Sequence, residues 1–250
     1  MKALVTGASS GLGRDFARKL SLMGYDIIAV ARDENNLLKL KEELKTDVKI
    51  IAMDLGDTQN CINLYEKLKM EDIDILINNA GFGVFGGFDE TDIHKELNMI
   101  DVNVKAVHIL TKLFLKNFKE KDKGYILNVA SSAAFEPGPL MAAYYASKSY
   151  VLRLSQSIYE ELRRDKSHVH ISCLCPGPVD TNFNNVAGVR FTVKALQSKD
   201  VVNYAIKCMF KKKLVIIPGV VMKLSRIATK ILPDKLIARF AYNIQKSKRS

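Results

Sequence analysis

A tyrosine, a lysine and a serine are spaced so that their side chains could act on one substrate oxygen. Tyr144 and Lys148 are four residues apart, which places both on one face of a helix, and Ser131 precedes the tyrosine by thirteen residues. A free phenol has a pKa near ~10, and a neighbouring ammonium favours the phenolate. Lys148 is therefore expected to lower the pKa of Tyr144 toward the range of an acid–base catalyst. With the Ser131 hydroxyl holding a carbonyl oxygen against the phenol, the pattern predicts proton transfer during hydride chemistry.

Three glycines stand where a first apolar strand would give way to a helix. Gly7, Gly11 and Gly13 lie in Thr6-Gly7-Ala8-Ser9-Ser10-Gly11-Leu12-Gly13. Glycine lets the backbone turn tightly and approach a pyrophosphate, and a helix N-terminus offers free N–H groups and positive potential. The context predicts a dinucleotide-binding loop, with a purely structural strand–helix turn as the alternative.

The end of the second predicted strand indicates which dinucleotide is used. An acid there would hydrogen-bond the ribose 2′-hydroxyl of NAD, but the position holds Ala31, and Arg32 follows it. A guanidinium can bind a 2′-phosphate through two parallel hydrogen bonds, and the missing acid removes a repulsion. The sequence therefore predicts NADP (NADPH) as cofactor. The alternative is that Arg32 only solvates the end of the strand.

Four motifs in this order resemble those of the short-chain dehydrogenase/reductase family: the glycine loop, Asn78-Asn79-Ala80-Gly81, the serine, and Tyr144-x-x-x-Lys148. The resemblance runs from Met1 to about Thr181. It implies that the cofactor is held by Gly7, Ser9, Ser10, Gly11, Leu12, Gly13, Arg32, Asp54, Leu55, Asn79, Ala80, Gly81, Tyr144, Lys148, Pro176, Gly177, Val179 and Thr181. For Asp54, a cap leading into the next helix is an equally good interpretation.

The resemblance also adds Asn103 to the reacting groups. The matching asparagine in the family holds a water beside the lysine and starts a proton relay, whereas on local evidence Asn103 could be a cap between two helical segments. Ser131 and Tyr144 fit the family spacing better than Ser132 and Tyr145, which are expected to pack or to line the pocket. The implied activity is hydride transfer between the nicotinamide and a carbonyl or secondary alcohol. The implied catalytic set is Asn103, Ser131, Tyr144 and Lys148.

Strand and helix patterns alternate along the chain, which is typical of a parallel sheet covered by helices on both faces. We predict one α/β domain over residues 1–250, a doubly wound Rossmann fold with a seven-stranded, mostly parallel sheet. The long helical pattern 91–121 is expected to bend or divide near residues 101–103. The predicted strands are 3–6, 26–31, 48–53, 73–78, 125–130, 168–175 and 214–217.

The net charge of +11 belongs to the end of the chain. Residues 207–250 hold 12 Lys and Arg against one acid, which leaves 26 bases and 26 acids in the remaining residues. This distribution argues against nucleic-acid binding. Residues 218–250 are predicted to form two amphipathic helices broken at Pro233. The favoured interpretation is a tail packed on the body or on another subunit. The alternative is attachment to an anionic membrane surface, or capture of a phosphate-bearing acyl carrier.

The expected substrate is a small carbonyl or alcohol compound. Residues 182–199 are predicted to form a lid whose apolar side chains favour a hydrophobic ketone, with a 3-oxoacyl chain or a steroid-like compound as finer alternatives. Scattered cysteines and histidines predict neither a disulfide framework nor a metal site, and favour a cytoplasmic protein. Similar proteins form homodimers or tetramers. A non-catalytic NADP-binding regulator is the competing function, but it would have no need for a proton donor.

Overall fold

Seven parallel strands form the central sheet of the computed structural model, which describes residues 1–181 and 195–246. These strands are β1 Lys2–Thr6, β2 Asp26–Ala31, β3 Val48–Ala52, β4 Ile73–Asn78, β5 Gly124–Val129, β6 Val169–Leu174 and β9 Val215–Ile216. Their order in the sheet is β3-β2-β1-β4-β5-β6-β9. Two further short strands, β7 Val179–Asp180 and β8 Leu196–Gln197, pair with each other in parallel. The predicted seven-stranded α/β sheet is confirmed, and each of its ladders is parallel.

Helices cover both faces of this sheet. Successive strand residues point to opposite faces, so Leu4 enters one hydrophobic core and Val5 the other. Phe16 fills the core on the side of Val5, and Phe114 fills the core on the side of Leu4. A parallel sheet buried in this way needs strands that are apolar on both sides, which is what the sequence provides. The helices are α1 Gly11–Leu22, α2 Glu34–Glu43, α3 Thr58–Leu68, α4 Ile93–Ile100, α5 Val107–Glu120, α6 Ala142–Arg164 and α7 Ser198–Phe210.

The predicted division of the long helical segment is confirmed. Asp92 caps α4 by accepting a hydrogen bond from the His94 N–H at 2.8 Å. A turn of π-helix, Asp101–Ala106, then separates α4 from α5. Such bulges in a helix are often found at functional sites, and this one carries Asn103.

The strand order reverses between β1 and β4, because β1 is flanked by β2 on one side and by β4 on the other. The chain leaves β1 toward one edge of the sheet and leaves β4 toward the other edge. The loops that follow the carboxyl ends of these strands therefore separate and open a crevice. The fold thus places the predicted cofactor loop and the predicted catalytic residues at the same end of the sheet, where the strands have their carboxyl ends.

The end of the chain forms two helices, α8 Val220–Ile231 and α9 Asp234–Lys246, and the break between them includes Pro233, as predicted. Most of the predicted lid, residues 182–194, lies outside the described residues, while residues 196–199 belong to β8 and α7. The single domain over the whole chain stays a prediction. Within the described ranges, no helix combines the length and the apolar character needed to cross a bilayer.

Candidate active site

A cleft of about 540 Å³ opens at the crossover between β1 and β4. Its size is typical of a small-molecule or cofactor site. Most residues predicted to hold a dinucleotide line it. They are Gly7, Ser9, Ser10, Gly11, Leu12, Arg32, Asp54, Leu55, Asn79, Ala80, Gly81, Tyr144, Lys148, Pro176, Gly177, Val179 and Thr181.

The glycine loop forms a backbone cradle in a conformation that favours glycine. Gly7 and Gly11 have φ angles of 65° and 51°, in the left-handed region that side chains disfavour. A Cβ on Gly7 would also lie 2.8 Å from the Nδ2 of Asn79 and 2.9 Å from the Cα of Ala80. The loop leads directly into α1, and the first residues of this helix, Gly11 and Leu12, line the cleft. This arrangement fits the pyrophosphate of a dinucleotide.

Gly13 lies behind the residues that line the cleft, and its predicted contact with the cofactor stays a prediction. A Cβ at this position would lie 2.1 Å from the carbonyl oxygen of Gly7. Gly13 therefore allows the first turn of α1 to pack against the loop.

A threonine that the sequence reasoning missed connects the loop to β4. Thr6 Oγ1 accepts hydrogen bonds from the N–H groups of Asn79 at 2.9 Å and Ala80 at 3.0 Å. In return, the Asn79 side chain donates to the carbonyl oxygens of Thr6 at 3.0 Å and Gly7 at 3.3 Å. A hydroxyl residue directly before the first glycine was the available signal. These bonds hold the two strand ends that form the crossover.

Arg32 and Asp54 line the cleft where β2 and β3 end, with Nη1 and Oδ2 4.0 Å apart; Arg32 is largely exposed and Asp54 is half-buried. Asp54 accepts a hydrogen bond from the Gly56 N–H at 2.9 Å, but α3 is capped by Asp57. The helix-cap interpretation of Asp54 is therefore wrong. The carboxylate of Asp33 caps α2 by accepting from the Asn36 N–H at 3.0 Å.

At the other end of the cleft, Thr181 packs against the glycine loop. A Cβ on Gly11 would lie 3.2 Å from the Thr181 side chain. The segment from Pro176 approaches the serine loop, because the Ser132 N–H donates to the Pro176 carbonyl at 2.7 Å. Val179 starts the short strand β7. The residues predicted to hold the nicotinamide thus lie between the glycine loop and the catalytic candidates.

Ser131, Tyr144 and Lys148 meet on one wall of the cleft. Ser131 follows β5, and its hydroxyl hydrogen-bonds the phenol of Tyr144. Tyr144 and Lys148 lie on successive turns of α6, and both side chains are buried. The Lys148 ammonium donates to the carbonyl oxygen of Val129 at 3.0 Å and lies 5.8 Å from the centre of the Tyr144 ring. The predicted constellation is therefore assembled.

Burial dominates the protonation of this group. It raises the pKa of Tyr144 to about 12, against the opposing effect of the Ser131 hydrogen bond. Burial also lowers the pKa of Lys148 to about 8. The expected lowering of the Tyr144 pKa by Lys148 is wrong for this structure, because loss of water around the phenol is the largest effect and the Ser131 hydrogen bond is what opposes it. Tyr144 consequently keeps its proton at neutral pH, which is the state that a proton donor needs.

Asn103 lies beside the cleft, and its predicted contribution to a proton relay stays a prediction. It is fully buried, and its side chain accepts from the Phe82 N–H at 3.1 Å and donates to the Phe82 carbonyl at 2.9 Å. It donates further to the Ser147 hydroxyl at 3.1 Å, which in turn donates to the Tyr144 carbonyl at 2.7 Å. Because Asn103 lies within the π-helical turn, the helix-cap interpretation is wrong. Its side chain positions the loop after β4 against the turn of α6 that carries Tyr144.

Residues of the tail that sequence reasoning did not place at the site also line the cleft: Met222, Ser225, Ile244 and Gln245. The buried Gln245 side chain donates a hydrogen bond to the Tyr145 hydroxyl at 2.5 Å. The available signal was a glutamine in register with Ile237 and Ala241, which are buried on the same face of α9.

Tyr145 and Ser132 line the cleft, as expected. Among the described residues, no group of His, Cys, Asp and Glu side chains could hold a metal ion.

Comparison with known proteins identifies relatives over most of the chain. A family model described as short chain dehydrogenase matches residues 1–189. An uncharacterized oxidoreductase of Staphylococcus epidermidis is 32% identical over 208 residues, covering 82% of this chain and 90% of the relative. A very-long-chain 3-oxoacyl-CoA reductase of Phaeosphaeria nodorum is 34% identical over 196 residues, covering 74% of this chain and 56% of that protein.

Solved structures share the fold. A short-chain dehydrogenase from Sphingobium yanoikuyae, in complex with NADPH, has a TM-score of 0.82 at 27% identity and covers 93% of this chain and 96% of its own. A short-chain dehydrogenase/reductase from Burkholderia phymatum, in complex with NAD, also has a TM-score of 0.82, at 24% identity, with 90% and 91% coverage.

Proposed function

The chain belongs to the short-chain dehydrogenase/reductase family of oxidoreductases, and we propose that it is an NADP-dependent enzyme that interconverts a hydrophobic ketone and the corresponding secondary alcohol. One observation carries the proposal. The protonated phenol of Tyr144 is hydrogen-bonded to Ser131 and lies beside Lys148, in the same cleft as the glycine loop. A protein that only bound a nucleotide would not need this arrangement.

Each of the three side chains has a defined task in ketone reduction. The bound cofactor supplies the hydride. Tyr144 donates its proton to the carbonyl oxygen, and the Ser131 hydroxyl donates a hydrogen bond to the same oxygen as negative charge develops there. Lys148, which is mainly an ammonium at pH 7, stabilises the phenolate that Tyr144 becomes. Asn103 acts through the Ser147 hydroxyl and is a positioning residue.

The preference for NADP rests on Arg32. Its guanidinium lies exposed at the cleft edge, at the end of β2 where an acid would favour NAD. The neighbouring carboxylates of Asp33 and Asp54 accept hydrogen bonds from backbone N–H groups of their own segments. The structural neighbours include one with NADPH and one with NAD, so they do not decide the choice.

Replacing Arg32 by alanine is expected to lower kcat/KM for NADPH by about 10- to 100-fold, because a charge-assisted hydrogen-bond pair to the 2′-phosphate is lost. The value for NADH should change little. The measurement is the ratio of kcat/KM for the two cofactors. Lys39→Ala, which removes an exposed cation from α2, is the matched control and should leave the ratio unchanged. A wild-type preference for NADH would contradict the assignment.

The reduction rate is expected to depend on the charge of Lys148. Because its pKa is lowered to about 8, the ammonium is present below that pH and is lost above it. Tyr144, with a pKa raised to about 12, stays protonated throughout this range. The kcat/KM for reduction should therefore be level below about pH 7 and fall about tenfold per pH unit above about pH 8. In Lys148→Arg the guanidinium stays charged, so the residual activity should lack this fall.

An apolar substrate is supported by the cleft and by the relatives. Met141, Met222 and Ile244 contribute apolar side chains to the cleft. A relative named as a very-long-chain 3-oxoacyl-CoA reductase supports a 3-oxoacyl chain as the finer alternative. NADPH consumption should be measured with small polar ketones, bulky or steroid-like ketones and 3-oxoacyl thioesters. NADPH binding without consumption of any of them would instead support the regulatory protein.

We also propose a cytoplasmic location and a homo-oligomer. All four cysteines are free and buried, which is compatible with a reducing compartment. Light scattering of the purified chain would establish the assembly.

A further inference from the structure

We propose that the outward face of α8, continued by α9, docks on an anionic membrane surface. This inference goes beyond the proposed reaction and does not depend on it. It rests on how the two helices distribute their apolar and basic side chains.

Helix α8 presents its apolar side chains away from the body. Its inner side carries Met222, Ser225 and Arg226, which are only partly buried, and the helix has no fully buried residue. The outer row recurs at helical spacing, with exposed fractions between 54% and 76%. It consists of Val220, Leu224, Ile227 and Ile231. A helix that packed only on its own domain would turn this row inward.

Further apolar side chains are exposed on both sides of Pro233. Leu232, Leu236 and Phe240 are 42%, 40% and 58% exposed. On the neighbouring side of α9, Ile237 and Ala241 are buried. Helix α9 is thus attached through one row of side chains and leaves a second apolar row outside. An exposed apolar patch of this extent indicates an interaction site.

Basic side chains accompany these rows. Residues 220–246 contain six Lys and Arg and one acid, a net charge of +5. Lys223 lies 5.6 Å from the centre of the Tyr204 ring, and Arg226 lies 5.2 Å from that of Phe135, so these two cations attach α8 to the body. Lys230, Lys235 and Arg239 are exposed. Apolar rows with basic neighbours are typical of helices that lie in a membrane interface.

The charge selects an anionic bilayer over a second copy of the chain. A symmetric interface through this face would bring the exposed cations Lys230, Lys235 and Arg239 of two copies together, which like-charge repulsion opposes. An anionic bilayer accepts apolar side chains at the acyl boundary and attracts the cations through its headgroups. An anionic bilayer therefore accounts for both the apolar rows and the basic side chains of the face.

Sedimentation of the full chain with lipid vesicles tests the proposal. We expect binding to vesicles of phosphatidylcholine mixed with phosphatidylserine, weaker binding to phosphatidylcholine alone, and a decrease as salt is raised. Equal binding to the two vesicle types, or no binding to either, would overturn the proposal.

Two double variants separate the apolar and the charged contributions. Leu224→Ser with Ile227→Ser should lower the partition coefficient at least about tenfold, and Lys230→Glu with Lys235→Glu should lower it at least about 20-fold. None of these four residues lines the cleft, so NADPH binding and the unfolding midpoint should be retained. Unchanged vesicle binding by either double variant would overturn the proposal.

The controls change equally exposed side chains elsewhere: Leu22→Ser with Met70→Ser for the apolar pair, and Lys39→Glu with Lys67→Glu for the charged pair. Both should bind vesicles like the wild type, and a loss as large as in the tail variants would overturn the proposal. Light scattering on the same samples tests the alternative that a second copy of the chain binds this face. If the wild-type chain fails to bind vesicles and Leu224→Ser with Ile227→Ser lowers its molecular mass, the face is a subunit interface.

Discussion

Replacing Tyr144 by phenylalanine is expected to reduce kcat for ketone reduction by a factor of ~10²–10⁴, the usual contribution of a positioned general acid. The phenol is the proton donor proposed for the carbonyl oxygen, and its raised pKa keeps it protonated. The ring itself is buried and would stay in place, so the Kd for NADPH should hardly change. The measurement is single-turnover reduction, with NADPH binding followed separately by fluorescence.

The adjacent tyrosine provides the matched control. Tyr145 lines the same cleft, but its hydroxyl accepts a hydrogen bond from Gln245. Tyr145→Phe removes one neutral hydrogen bond, so its effect should stay within about tenfold. If Tyr144→Phe kept most of the activity while Tyr145→Phe lost it, the proton donor would be the second tyrosine.

Replacing Ser131 by alanine is expected to lower kcat by ~10²–10³, the range measured for removal of one donor to a developing oxyanion. The hydroxyl also hydrogen-bonds Tyr144, so its loss frees the phenol to rotate. A structural effect accompanies the kinetic one. Ser131 Oγ accepts from the Ala133 N–H at 3.2 Å and caps the short helix Ser132–Phe135, a cap worth about 1 kcal/mol. Steady-state kinetics and thermal unfolding measure the two effects.

Ser132→Ala is the control for this prediction. Ser132 lies in the same cleft one residue later, and its backbone N–H, not its hydroxyl, donates a hydrogen bond to the Pro176 carbonyl. The variant should keep activity within about tenfold of the wild type. A larger loss from Ser132→Ala than from Ser131→Ala would transfer the proposed role to Ser132.

Local sequence determined the elements that carry the site. The spacing of Tyr144 and Lys148 depends only on the helical period, and the strand–glycine–helix order depends only on short-range backbone preferences. The division of the long helix near Asn103 and the break at Pro233 were also predictable, because each arises from residues close in the chain. These features are local, so the amino-acid sequence alone is sufficient to predict them.

Tertiary structure decided what the side chains do. Gln245 reaches Tyr145 across 100 residues of chain, and no periodicity predicts that contact. Gly13 and Asn103 are packed beside the cleft. Their contacts depend on segments that are distant in the chain, so their residue types alone do not predict these contacts. The direction of the Tyr144 pKa shift depends on how much water the whole fold removes from around the phenol, and burial is a property of distant segments packed together.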